Sequence, residues 1–420
     1  MSITTPVFGI ARRLVGLTLS AVVLLAFAAT ITLTSERAAG QIFAQQAAGN
    51  EGAISKRSVQ LYCKILHFDK DQSETALLLH EGYLSEHKRV QEEMQGFYRK
   101  IQEEFEESKD FTIWQKEVPK KQVEFAKQME SQQKSFLEDL KGLCDPKQEE
   151  RWPSLERHRR RETYLRFQFV AGVAVDVVDC VRRVGLSPEE GKAPADVAEA
   201  LEQYEFSLDR KLVEIERMAK DAETKAMEMA MGGDYQQMVT MMKKFSDEAI
   251  LVRNINRENA RRVSALLSDD LKIAFDKEVQ RRSFPRVYRK SYVERAVESA
   301  EKFKDLDEDQ RRTIGEIKAA YGRDASPLNE RWAAAITEQE DKQGSSFLSM
   351  FQWDGQVKDT PVTQARKARR DLDNQFRDRL FAVLKEDQRR QLPKEDVVPP
   401  GADQQMDMMD FDMDTDDSEE

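Results

Sequence analysis

The chain has 420 residues, of which 34% are charged and 40% hydrophobic, and its formal net charge is −11. These proportions exclude a polytopic membrane protein, which would need several long apolar segments. With 18 glycines and 12 prolines, the chain also has too few turn residues for a many-stranded sandwich or barrel. The composition therefore predicts an all-α protein.

The N-terminal segment has the pattern of an export signal. Arg12 and Arg13 precede an apolar run over residues 14–33, and Ala26-Phe27-Ala28 supplies the small-x-small sequence that signal peptidase accepts. We predict a signal peptide over residues 1–28. The alternative is an uncleaved membrane anchor over residues 14–33, because about 20 apolar residues can span a bilayer. Both interpretations place the rest of the chain outside the cytoplasm.

A five-residue motif occurs six times in the chain. Its first residue is apolar, and its second is Asp or Ser in most copies. Acidic and amide residues follow. The copies lie at 68–72, 144–148, 186–190, 267–271, 306–310 and 384–388. Successive copies start 76, 42, 81, 39 and 78 residues apart, which predicts a unit of about 120 residues repeated three times.

The motif is typical of a helix start. Its second residue can accept a hydrogen bond from a free backbone N–H, and the residue three positions later can reach back, which forms a capping box. The predicted pairs are Asp69 with Gln72, Asp145 with Gln148, Ser187 with Glu190, and Asp307 with Gln310. Pro146 and Pro188 would then occupy the first helical position, where a missing N–H costs nothing. Leu271 and Lys385 do not fit the box.

Between the motifs, apolar residues follow a helical period, as Tyr83, Val90 and Phe97 show with their seven-residue steps. We therefore predict long amphipathic helices that fold back as hairpins, in about three tandem repeat units. The predicted divisions are a linker at 29–55, helical units at 56–185, 186–300 and 301–395, the last one truncated, and an acidic, methionine-rich tail at 396–420. Nine acids and no base in residues 403–420 predict that this tail is disordered.

The repeated motif behind an export signal resembles the Spy/CpxP family of exported bacterial helical proteins, whose signature is a repeated L-T-x-x-Q. Residues 68–72, 306–310 and 384–388 match it with Asp or Lys in place of Thr. Family members are typically much shorter and carry two motifs. The resemblance implies a periplasmic protein that holds unfolded or envelope proteins without ATP, or one that modulates an envelope-stress sensor. Metal binding, as in metal-responsive relatives, is the alternative.

His80 and His87 are the candidates for a metal site. They lie two helical turns apart, which is about 10 Å along the axis and too far for one ion. We therefore expect surface histidines and predict no metal.

Methionines supply the candidate client surface. Seven of the 15 lie between Met218 and Met242. The proposed surface consists of Met227, Met229, Met231, Met238, Met241 and Met242, because thioethers adapt to varied partners. The alternatives are an ordinary helix core and soft ligands for copper(I).

No catalytic motif occurs, so we predict a non-enzymatic protein without a cofactor. No long basic run supports nucleic-acid binding. The odd number of cysteines, Cys63, Cys144 and Cys180, leaves at least one thiol unpaired, and a Cys144–Cys180 pair stays open. Thin hairpins with apolar stripes favour a homodimer. A third interpretation is a membrane-tethered helical spacer, which requires an uncleaved N-terminus.

Overall fold

The computed structural model describes residues 52–110, 112–165, 170–232, 235–344 and 359–395. These residues form helices joined by loops, and no β-strand occurs among them. The prediction of an all-α protein is therefore confirmed. Within the same ranges, none of the helices combines the length and the apolar character needed to cross a membrane. The predicted signal peptide (1–28), the alternative anchor (14–33) and the acidic tail (396–420) all lie outside the described residues.

In chain order the helices are α1 (Lys56–Leu66), α2 (Lys70–Ser108), α3 (Thr112–Gly142), α4 (Pro146–Glu149), α5 (Trp152–Tyr164), α6 (Val177–Arg183), α7 (Ala195–Gly232), α8 (Tyr235–Leu266), α9 (Asp269–Ser283), α10 (Pro285–Tyr288), α11 (Tyr292–Ala300), α12 (Glu308–Gln343), α13 (Pro361–Val383) and α14 (Glu386–Arg389). A 3-10 helix, Pro188–Glu190, lies between α6 and α7. As predicted, Pro146 and Pro188 occupy first helical positions, where the proline ring already has the required φ.

The described chain divides into two compact units. The first contains the described parts of Met1–Cys63, Phe68–Asp145 and Glu216–Met241, and the second those of Lys64–His67, Pro146–Ile215 and Met242–Glu420. The three units predicted at 56–185, 186–300 and 301–395 stay a prediction.

The core of the first unit lies between α2 and α3, which pack along each other as a hairpin. The ring of Tyr83 stacks on that of Phe136 at 5.2 Å between centroids, and Phe97 meets Phe125 edge-on at 6.2 Å. Val90 is fully buried between these pairs. The seven-residue period of Tyr83, Val90 and Phe97 therefore does mark the packed face of α2.

The second unit contains two core clusters. The first surrounds Tyr204 and Leu208 of α7 and Phe275 of α9, all with no exposed surface. The second surrounds Ile314 of α12 and Phe376 of α13. Because a fully buried aliphatic or aromatic side chain contributes about 1.5–3 kcal/mol, these clusters supply the main stabilisation of the unit.

One order of elements recurs along the described chain. The short helices α1, α6 and α11 each precede a motif copy, and each is followed by a long helix, α2, α7 or α12, and a returning helix. The tandem sequence repeat itself remains a prediction.

A buried tyrosine on each long helix contacts the start of the short helix. The Tyr83 hydroxyl accepts a hydrogen bond from the backbone N–H of Ile54 at 3.2 Å, and that of Tyr204 accepts one from Val177 at 3.3 Å. The Tyr321 hydroxyl lies 2.6 Å from the Ser291 hydroxyl. Each partner lies within two residues of the start of α1, α6 or α11.

Candidate functional site

Two of the predicted capping boxes form as expected. Asp69 Oδ1 accepts a hydrogen bond from the Gln72 backbone N–H at 2.8 Å, and Gln72 Oε1 accepts one from the Asp69 N–H at 3.0 Å. Asp307 and Gln310 repeat this arrangement at 2.8 and 3.1 Å. The boxes satisfy backbone donors that the first helical turn leaves without partners, and so they set the starts of α2 and α12.

The glutamine of the motif also makes a second, long-range bond. Gln72 Nε2 donates to the Leu143 carbonyl at 2.8 Å, and Gln148 Nε2 donates to the His67 carbonyl at 3.0 Å. Leu143 and His67 each immediately precede a motif copy. Each of these bonds lies within one compact unit and joins residues 71 or 81 positions apart.

The last two motif copies show the same exchange. Gln310 Nε2 donates to the Val383 carbonyl at 2.9 Å, and Gln388 Nε2 donates to the carboxylate of Asp305 at 3.1 Å. The two glutamines also bond directly, Gln310 Nε2 to Gln388 Oε1 at 3.1 Å. Lys385 cannot accept a cap bond, but Gln388 Oε1 still accepts from its N–H at 2.9 Å.

Glutamine at the fifth motif position is a sequence signal for these long-range bonds, beyond what a helix cap requires. A glutamate completes a capping box as well as a glutamine does, because the box needs only an acceptor. Only an amide can accept from the N-cap N–H and also donate to a distant carbonyl. The preference for glutamine at the fifth motif position therefore indicates a tertiary contact.

The middle copies depart from the prediction. Ser187 makes no side-chain cap bond, because its carbonyl instead accepts from the N–H groups of Glu190 and Lys192 in a three-residue 3-10 helix. The Glu190 carboxylate pairs with Lys64 and Lys192, which lowers its pKa to about 2. Ser268 makes no cap bond either. For Asp145, the structure shows the predicted helix start at Pro146.

Replacing Gln310 by glutamate tests the long-range role of the motif. The Gln310→Glu variant keeps the acceptor for Asp307 but loses the donor to Val383 and Gln388. We expect the free energy of unfolding, measured by urea denaturation, to fall by about 1–3 kcal/mol, the usual cost of unpaired buried polar groups. The exposed Gln375 of α13 gives the matched control, Gln375→Glu, for which we expect about 0.5 kcal/mol or less. Equal losses in the two variants would refute the role.

The two candidate metal histidines are buried, which corrects the expectation that they lie on the surface. His80 and His87 are 2% and 4% exposed, because they share the packed face of α2 with Tyr83 and Val90. His80 Nε2–H donates to the Ile54 carbonyl at 2.6 Å. Burial lowers the pKa of His87. Among the described residues, no three His, Cys, Asp or Glu side chains come together as a metal-binding group.

The methionine surface is described only in part. Met242 is buried at 3% exposure, and Met241 is half-buried. Met242 therefore belongs to the helix core, which was the alternative interpretation, rather than to a surface. The side chains of Met227, Met229, Met231 and Met238 lie outside the part of the chain that the structure describes.

The three cysteines are free thiols. Cys63 and Cys180 are buried, whereas Cys144 is half-buried. Burial raises the pKa of both buried thiols. These two therefore have the character of structural, unreactive cysteines.

Helix α7 exposes two large apolar side chains on one face. Phe206 is 51% and Val213 46% exposed, and their spacing of seven positions corresponds to about two helical turns. The opposite face of α7 carries the buried residues Tyr204, Leu208 and Leu212. We call Phe206 and Val213 the α7 stripe.

The surroundings of the α7 stripe are charged. The guanidinium of Arg157 lies 4.6 Å from the centre of the Phe206 ring, a cation–π contact. Glu202 and Arg210 are exposed on the same face of the helix, on either side of the stripe. The stripe is therefore an apolar patch with a charged rim. Both residues fall off the period of the α7 core, which can be recognised only once the buried face is known.

Comparison with known proteins adds no relative. No protein-family model matches this sequence, and neither does any curated protein or solved structure.

Proposed function

We propose that this protein is an exported, non-enzymatic helical binding protein that holds unfolded or envelope proteins in the manner of a chaperone. The observation that carries the proposal is the α7 stripe. Helix α7 already buries Tyr204, Leu208 and Leu212 in the core, and Phe206 and Val213 belong to neither core cluster of the unit. Contiguous exposed apolar patches with a polar rim are the surfaces that mark sites of protein binding.

The geometry of the stripe favours extended or unfolded apolar segments over a folded partner. Two apolar side chains offer too little area for a stable interface, which usually buries about 1,200–2,000 Å² in total. Weak contacts of this kind suit transient holding of many clients. The exported location rests on the predicted signal peptide at 1–28, and modulation of a stress sensor would use the same kind of surface.

The experiment measures the aggregation of reduced insulin by light scattering, with the protein at an equimolar ratio. We expect the protein to suppress aggregation. In the double variant Phe206→Gln/Val213→Gln, we expect suppression to fall to about half or less, because burial of the two side chains supplies the apolar contact with the client. The polar substitutions face solvent, so the fold should be retained.

The matched control is Glu202→Gln/Arg210→Gln, which changes two exposed residues of the same face and leaves the net charge unaltered. We expect this control to suppress aggregation as well as the unmodified protein does. Failure of the unmodified protein to suppress aggregation, or equal activity in both double variants, would contradict the proposal.

A further inference from the structure

The second unit has a shallow, solvent-open groove that is lined by both apolar and charged side chains. It has a volume of about 450 Å³ and lies between α8, α12 and the end of α9. Phe284, Ala333 and Ala334 form its apolar side, and Arg257, Asp341 and Lys342 contribute charge. Volumes of about 300–1,000 Å³ with apolar walls and a few polar groups are typical of ligand sites.

Arg257 is the unusual member of this lining. Its side chain is half-buried, yet its guanidinium makes no hydrogen bond and no ion pair with any described residue. Burial, together with the nearby charge of Arg253, lowers the pKa of Arg257. A guanidinium carries five donors in a planar fork. None of the Arg257 nitrogens is among the fully buried, unpaired atoms of the described residues, so they can bond water or a ligand in the groove.

The neighbouring charges are already paired. Asp341 Oδ1 accepts a hydrogen bond from Arg253 Nη2 at 2.6 Å, and Lys342 Nζ lies 2.6 Å from Glu338 Oε1. Glu340 accepts from the Ala171 backbone N–H with both carboxylate oxygens, at 3.0 and 3.1 Å. Arg257 therefore lines the groove near the charges of Asp341 and Glu340, while the hydrogen bonds of these carboxylates among the described residues go to Arg253 and Ala171.

We propose that the groove binds a small amphiphilic carboxylate, independently of client binding at the α7 stripe. The Arg257 guanidinium would receive the carboxylate in the two-bond arrangement that its geometry favours. The hydrocarbon part of the ligand would cover Phe284 and the alanines. Asp341 and Glu338 carry negative charge at the rim, so a singly charged carboxylate fits better than a doubly charged phosphate.

Titration calorimetry with decanoate below its micellar concentration tests the proposal. We expect decanoate to bind, and we expect the Arg257→Gln variant to bind it about tenfold more weakly or worse, since a hydrogen-bonded charge pair is lost. The matched control is Arg261→Gln. Arg261 lies one turn further along α8, is exposed and does not line the groove, so we expect unchanged binding.

Two further ligands distinguish the contribution of the carboxylate head group to binding from that of the hydrocarbon chain. Decanol has the same hydrocarbon chain without the charge, and inorganic phosphate has the charge without the chain. We expect both to bind at least about tenfold more weakly than decanoate. The proposal is overturned if decanoate does not bind, if decanol equals it, or if Arg257→Gln binds it as the Arg261→Gln control does. Adsorption of decanoate to the α7 stripe would give equal binding by the Arg257→Gln and Arg261→Gln variants. Failure of client holding would appear instead in the insulin assay, so the two failures are distinguishable.

Discussion

Replacing Arg161 by methionine is expected to lower the free energy of unfolding of the second unit by about 3–5 kcal/mol. Arg161 is 2% exposed. Its Nε donates to Asp176 Oδ2 at 3.1 Å, and its Nη2 lies 2.8 Å from Glu205 Oε1. Removing the guanidinium takes away the closest counter-charge of two largely buried carboxylates, and only the weaker charges of Arg157, 4.0 Å from Glu205, and of Arg182 near Asp176 remain. The methionine cannot replace the bonds.

Asp176 adds to the effect because it also begins a helix. Its Oδ1 accepts from the Val178 N–H at 2.9 Å, the cap of α6. The Arg161 charge opposes the desolvation of this carboxyl and holds its pKa below the ordinary value. Without Arg161, the same burial favours protonation, and a protonated carboxyl is a weaker cap.

Urea denaturation followed by circular dichroism measures the loss. The control Arg210→Met removes an exposed arginine of α7 and is expected to cost about 0.5 kcal/mol or less. The triple variant Arg161→Met/Asp176→Asn/Glu205→Gln removes the uncompensated charges as well, so we expect it to recover part of the stability. A single variant no less stable than the Arg210→Met control would refute the role of Arg161.

Glu340 is expected to make the stability of the protein depend on pH. This carboxyl is 4% exposed, and burial raises its pKa to about 7. The Ala171 N–H and the charges of Arg253 and Arg257 favour the ionised form, while Asp341 opposes it, but desolvation has the largest effect. Arg253 Nη1 lies 3.8 Å from Glu340 Oε2, beyond hydrogen-bonding distance.

The sign follows from proton binding. In the unfolded chain the pKa of the carboxyl returns to about 4.5, so between pH 4.5 and pH 7 the folded state binds more protons. The free energy of unfolding therefore falls as the pH rises through this window, by about 3 kcal/mol in total, and this contribution is constant above it. Stability from urea denaturation at several pH values between 5 and 8 measures the slope.

The matched pair of variants isolates this carboxyl from the others. Glu340→Gln keeps an acceptor for Ala171 but cannot ionise, so we expect a shallower fall in stability between pH 5 and pH 7. Glu338→Gln changes an exposed glutamate of the same helix and should preserve the slope. If both variants retain the slope of the unmodified protein, Glu340 does not titrate in this range.

Much of the local structure was predictable because it depends on neighbours in the chain. The capping boxes at Asp69 and Asp307 and the helix starts at Pro146 and Pro188 follow from side chains within three residues of each other. The helical period of Tyr83 and Val90 correctly marked the packed face of α2. The all-α class follows from such local preferences added over the whole chain.

The candidate sites were predictable only in part. From the sequence alone, His80 and His87 could equally well lie at the edge of a solvent face. The apolar period does not indicate the free-energy cost of burying a polar side chain on the packed side, so it cannot decide between the two positions. The α7 stripe was missed because the core period and the off-period apolar residues cannot be separated until the buried face is known. Ser187 failed as a cap because its carbonyl, in a short 3-10 helix, already receives the free donors.

The sequence by itself determined the helical class, the main helix starts and the positions of the repeated motif, because these depend on contacts within one or two helical turns. Only the tertiary structure decided what the polar groups do. The Gln310 amide meets Val383 across 73 residues, and Glu340 meets Ala171 across 169. The pKa of Glu340, and the lack of a hydrogen bond or ion pair between Arg257 and any residue that the structure describes, depend on which groups surround them. Long-range packing alone sets that environment.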